Sequence, residues 1–141
     1  MHSDRNIGEP QQVWRVIEAT SPQGVKNTEP EPSVVIFTKA YYSIQGIESS
    51  DPRPLLMPNA TDKRRADIFG LYAANSGTYQ LREGEITLRR IVAKDPAIMA
   101  PGTFLINAIR FDGRDTFWMS GAANQNGPIA RSTAWKLTRL E

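Results

Sequence analysis

Arg90 stands near the end of the run 77–92, where Tyr79, Leu81, Ile86 and Leu88 alternate with Thr78, Gln80, Arg82, Glu85, Thr87 and Arg89. A period of two sends every second side chain to one face of a strand. That count places Arg90, a permanent cation, where an aliphatic residue belongs. A guanidinium inside an apolar wall would orient a carboxylate or enolate through charge-assisted, bidentate hydrogen bonds. The alternatives are a bulge at Arg89 and Arg90 that turns both outward, or an internal ion pair with Glu18. Glu18 is the second candidate for chemistry, as a general base if desolvated and as a surface salt-bridge partner if not. Asn107 shares the neighbourhood of Arg90 if Leu105, Asn107, Ile109 and Phe111 face inward. The opposite register (Phe104, Ile106, Ala108, Arg110) is equally apolar. Tyr42, Tyr79, Trp118 and Trp135 complete the candidate ligand-binding set, each an apolar body with one polar tip, and plain core packing is the competing use of the same aromatics. Catalytic residues are otherwise unassigned, with Glu18 and Arg90 the candidates.

Other chemistries are removed by composition. The 141 residues contain one histidine, His2, and no cysteine. That leaves no histidine in a folded segment for a Ser-His-Asp triad or a metal site, and no thiol for a nucleophile, a disulfide or a zinc site. The carboxylate pairs Glu29/Glu31, Glu83/Glu85 and Asp112/Asp115 fall in a Pro-rich loop or beside tight turns, and read as solvated charges. Phosphate-loop and dinucleotide fingerprints are absent. The expectation is no metal and no cofactor. A net charge of +2 is too small to argue for a nucleic-acid partner, and the cluster Lys63-Arg64-Arg65 reads as a solvated helix face. No run approaches the ~18 apolar residues of a membrane span. Residues 1–10 are polar, without the apolar core of a secretory signal, so a flexible tail and a cytoplasmic location are expected.

The elements that must position these residues can be read from pattern and punctuation. Strands are expected over 11–20, 33–38 and 41–47, then two around a Glu83-Gly84-Glu85 turn, then 103–111, 115–120 and 129–140. Gly84 supplies the positive φ of a tight hairpin. Between 48 and 60 three prolines forbid long regular structure. Thr61 or Asp62 can cap a helix running to about Asn75, with Ala66, Phe69, Tyr72 and Ala73 on its apolar side. Connections two to three, four to five and six to seven are short, and the remaining ones are long. In an up-and-down meander the long loops then gather at one end and the tight turns at the other. Eight antiparallel strands close into a barrel wide enough for side chains or one small ligand. The expected architecture is all-β, a single barrel domain over 11–141 with one short helix over 61–75 between strands three and four. Tyr79 and Arg90 would meet at the level of its mouth.

Several segments match one known group. Gln12-Val13-Trp14 resembles the Gly-x-Trp that opens lipocalin-like domains of the calycin group, with Gln12 in the glycine's place. Phe37-Thr-Lys-Ala-Tyr-Tyr-Ser43 resembles a Phe-Thr-x-x-His-Tyr-Ser segment, with Tyr41 in the histidine's place. Arg53-Pro54, Ala74-Asn-Ser-Gly-Thr-Tyr79, Ile91-Val-Ala-Lys-Asp-Pro96 and Leu137-Thr-Arg-Leu-Glu141 also fit. The resemblance implies a lipocalin-like barrel in which Trp14 packs beneath Arg139 at the closed end as a cation–π pair. Loss of the histidine removes an acid–base group that relatives have.

Three functions follow as expectations. The first is binding of a small, mostly hydrophobic or amphipathic molecule through the open end. The second is a cofactor-independent isomerase or cyclase of secondary metabolism, promoting ring closure of a bound apolar intermediate by holding its reactive ends together. The third is a structural or interaction module whose barrel is filled by its own side chains.

Overall fold

Apolar alternation along the chain is realised as antiparallel strand. A computed structural model describes residues 10–49 and 51–141. The tail expected over 1–10, and His2 with it, lies outside the described residues except for Pro10. The strands are β1 (Val13–Thr20), β2 (Lys26–Asn27), β3 (Ser33–Phe37), β4 (Tyr41–Ile47), β5 (Tyr72–Arg82), β6 (Glu85–Ala93), β7 (Leu105–Phe111), β8 (Thr116–Asn124), β9 (Gly127–Pro128) and β10 (Ala134–Arg139). A helix, α1 (Asp62–Phe69), and a 3-10 turn (Pro96–Met99) lie in the connections.

From β3 to β8 each long strand pairs with the next, and β10 bridges β8 and β1. The eight long strands therefore close into one antiparallel barrel. The two-residue β2 and β9 attach to β1 and β8 at the loop end. Tight turns between β5 and β6 and between β7 and β8 use Gly84 (φ 75°) and Gly113 (φ 76°), and they share the opposite end with the β3–β4 turn. This is the segregation that the loop lengths predict.

The hairpin end is filled by the protein itself. Trp14, Val35, Phe37, Tyr42, Tyr79, Ile86, Leu88, Phe117, Met119 and Leu137 form one buried cluster, each of them contributing about 1.5–3 kcal/mol on leaving water. Trp14 stands edge-on to Phe117, with centroids 4.6 Å apart and planes at 89°. Its Nε1 donates to the Pro10 carbonyl at 2.8 Å. Arg139 is opposite Trp14 in register, as the resemblance implies, but its guanidinium bonds to Asp115 at 2.5 Å. The expected cation–π pair is replaced by the Trp14–Phe117 pair, because Asp115 across the strand end offers a full counter-charge.

Several elements differ from their sequence-based bounds, and β8 runs on to Asn124 where a loop is expected from Gly121. The helix stops at Phe69, with Gly70 as its C-cap, rather than continuing to Asn75. Its buried residue is Ile68, while Phe69 is 53% exposed. Residues 72–76 join β5 instead, pairing with β4 from Ile47↔Tyr72 to Ser43↔Ser76; the Tyr72 hydroxyl donates to Gln45 Oε1 at 2.6 Å. Sheet pairing here overrides a weak helical preference. At the C-terminus β10 begins at Ala134, and residues 129–133 form a rim loop in which Ser132 Oγ donates to the Gly121 carbonyl at 2.9 Å.

Candidate functional site

At the loop end the packing stops short and leaves a cavity of about 550 Å³. Its floor and walls include Val16, Val35, Ile44, Ala73 and Trp135, and its lip carries Asn27, Glu31 and Glu48. Small residues create the space: Ala19, Gly46 and Ala73 occupy lining positions where bulkier side chains would fill it. A bulge aims β1 at the space. Val16 pairs with Leu137 and Glu18 with Lys136, so Ile17 is the extra residue and Ala19 falls opposite Trp135. Beside the cavity β1 and β3 share only the pairs Val13↔Ile36 and Trp14↔Val35. Above them the Val16 amide is held by a side chain, donating to Ser33 Oγ at 3.0 Å.

A polar layer lies one inward-facing residue deeper. Ile86 and Leu88 are buried, and the same parity carries Arg90 to the inside, across Gly77 from Tyr42. The bulge, raised as the alternative at Arg89 and Arg90, falls one step later. Ser76 pairs with Val92 and Gly77 with Arg90, so Ile91 is the extra residue. Ile91 and Val92 are consequently both exposed, at 60% and 55%, while Arg90 stays in. Arg90 Nε is buried without a hydrogen-bond partner, and no ion pair reaches this residue among the described ones. Tyr42 is 3% exposed, and its hydroxyl donates to Asn75 Oδ1 at 2.6 Å. Burial pushes its phenol up to about 12, against the opposing pull of the Arg90 cation.

Asn107 resolves the ambiguity of its strand. Leu105, Asn107, Ile109 and Phe111 face inward, and Asn107 sits opposite Ile86 and Gly121. It is 4% exposed, and its Nδ2 has no hydrogen-bond partner.

The remaining candidates separate. Trp135 lines the cavity. Tyr79 is inward but near the hairpin end, because β5 begins at Tyr72; it pairs with Leu88 and its hydroxyl donates to the Thr38 carbonyl at 2.6 Å. It therefore does not share the mouth level expected for it. Trp118 is on the outer face, since Phe117 and Met119 take the inward positions of β8. Its ring lies between the Arg110 guanidinium at 5.6 Å and the Lys136 ammonium at 5.4 Å. Glu18 is on that outer face as well, in register with Lys136 and 3.9 Å from the Lys26 ammonium. The Arg90–Glu18 pair is not formed. Among the described residues no group of three or more His, Asp or Glu is placed to hold a metal ion.

Sequence reasoning misses the lining residues Val16, Ala19, Val35, Ile44 and Ala73, which read as ordinary core. The signal that finds two of them is the small side chains of Ala19 and Ala73 next to long loops.

No family model matches the sequence, and no curated protein matches it. Among solved structures the chain is similar to a lipocalin-like protein from Bacteroides uniformis, with a TM-score of 0.54 over 94% of this chain and 100% of that one, at 11% identity. A likeness at that identity is one of fold. No helix among the described residues is long and apolar enough to cross a membrane.

Proposed function

From a lipocalin-like barrel plugged at one end and open at the other, we propose that the protein binds a small, mostly apolar molecule in the cavity at its mouth. The observation that carries this reading is the space of about 550 Å³ between Val16, Val35, Ile44, Ala73 and Trp135. Sites for small ligands occupy roughly 300–1,000 Å³, with apolar walls and few polar groups. Removing apolar ligand surface from water supplies the driving force, at about 25 cal/mol per Å². A barrel filled by its own side chains accounts for the hairpin end and leaves the mouth unexplained. The cyclase reading rests on holding reactive ends together, and of its two candidate groups Glu18 lies on the outer face beside Lys26.

Titration with a neutral apolar dye such as N-phenyl-1-naphthylamine tests the reading. The expected result is saturable binding that falls at least about tenfold, or about 1.4 kcal/mol, in Ala73→Trp, with an unchanged circular dichroism spectrum. Ala19→Phe fills the opposite wall and should act alike. Dye binding that neither substitution changes would overturn the assignment.

A further inference from the structure

The polar layer beneath the cavity is unbalanced in a way that specifies the occupant. Three buried side-chain atoms lack a hydrogen-bond partner among the described residues: the donors Arg90 Nε and, nearer the hairpin end, Asn107 Nδ2 inside the barrel, and the acceptor Glu18 Oε2 beside Lys26 on the outer face. A buried donor without an acceptor loses its hydration with nothing in return, and a cation in an apolar interior requires an opposing charge. The described residues supply none there. Glu18 is outside with Lys26, and the inward neighbours of Arg90 (Leu88, Gly77, Tyr42, Asn75) carry no carboxylate. The Tyr42 hydroxyl keeps its proton and donates a hydrogen bond to Asn75 Oδ1. Its raised pKa, caused first by burial, agrees with that.

Resting on the small-molecule reading above, we propose that the ligand is an amphipathic monoacid whose carboxylate sits on Arg90, with its apolar body running up past Ile44 and Ala73 into the mouth. One guanidinium matches one single-charge, planar, two-oxygen acceptor; a phosphate dianion would remain half uncompensated. Asn107, on the neighbouring strand β7 and in register with Ile86, offers a further donor nearer the hairpin end. The mouth adds a second selection. Among the described residues, Glu31 and Glu48 are the only charged ones lining the cavity, so an acid at the outer end of the ligand meets like charge. The interior and the lip together favour a molecule with one acid, inserted acid-first, over a diacid of the same length.

Four ten-carbon probes, each displacing the neutral dye below its micelle concentration, test this: decanoate, 1-decanol, decylammonium and decanedioate. Decanoate should bind about tenfold or more tighter than 1-decanol, a difference of about 1.4 kcal/mol. Arg90→Gln should erase that preference, and Arg90→Lys should keep part of it. Decanedioate should bind more weakly than decanoate and recover in the Glu31→Gln, Glu48→Gln double variant. Equal binding of acid and alcohol by the unaltered protein, or preference for decylammonium, overturns the monoacid and leaves the apolar cavity standing; that comparison needs no variant to fold. If none of the four displaces bound dye, the monoacid falls. If the dye itself fails to saturate, the cavity reading falls with it.

Discussion

Burial holds the Tyr42 phenol protonated up to about pH 12, with Arg90 pulling the other way. The sign of the stability effect follows. A phenol whose folded pKa lies above its unfolded value of about 10 favours the fold while protonated. That contribution is complete below pH 10 and is lost as pH rises through 12. Urea denaturation between pH 9 and pH 12 should therefore show the native protein losing stability more steeply than Tyr42→Phe, and equal slopes would contradict the assignment. At neutral pH the same substitution removes the hydrogen bond to Asn75 Oδ1 and should cost about 1 kcal/mol. At this scale the sequence is a partial guide. Arg90 is legible as an inward cation because its strand alternates without interruption up to it. Asn107 is not, since both registers of its strand are apolar. Trp118 is misjudged because an aromatic in a strand looks the same on either face, and what puts it outside is the stronger claim of Phe117 and Met119 on the interior.

Among elements, the β5–β6 hairpin depends on Gly77. A Cβ there would stand 1.9 Å from the Arg89 carbonyl oxygen and 2.9 Å from Arg90 Cα. These are backbone atoms, so no rotamer relieves the clash and the strands must part. Gly77→Ala should destabilise the protein by about 3 kcal/mol or more and should weaken decanoate relative to 1-decanol by turning Arg90. An unchanged denaturation midpoint would show that the hairpin accommodates the methyl group without separating. The hairpin itself is readable in sequence, from alternation and from Gly84. The bulge is not, because Arg89-Arg90-Ile91-Val92 gives no local reason for one residue rather than its neighbour to be the extra one. The helix boundary is lost for a related reason. Tyr72, Ala73 and Ala74 suit either state, and only the presence of β4 alongside makes them strand.

As a whole, the molecule is a closed ring of strands, and its general plan is legible because loop lengths and turn residues survive in sequence when registers do not. The ring is uneven. Most neighbouring strands share long ladders, such as the seven pairs from Tyr41↔Thr78 to Ile47↔Tyr72 between β4 and β5, whereas β1 and β3 share two. The hoop has a notch, and beside it the Val16 amide hangs on a serine hydroxyl. A cooperative sheet opens first where fewest bonds must break together. Hydrogen exchange should therefore be faster at Val16 than at the paired amides of β4 and β5, and faster still in Ser33→Ala; uniform protection around the ring would refute this. Val16, Ser33 and Val35 also line the cavity, so the notch lies in the cavity wall. An occupant spanning it would act as a stave across the gap, slowing exchange there more than anywhere else in the barrel. How long the ligand stays would then be governed by how often this seam parts, so that residence time and local unfolding become one measurement.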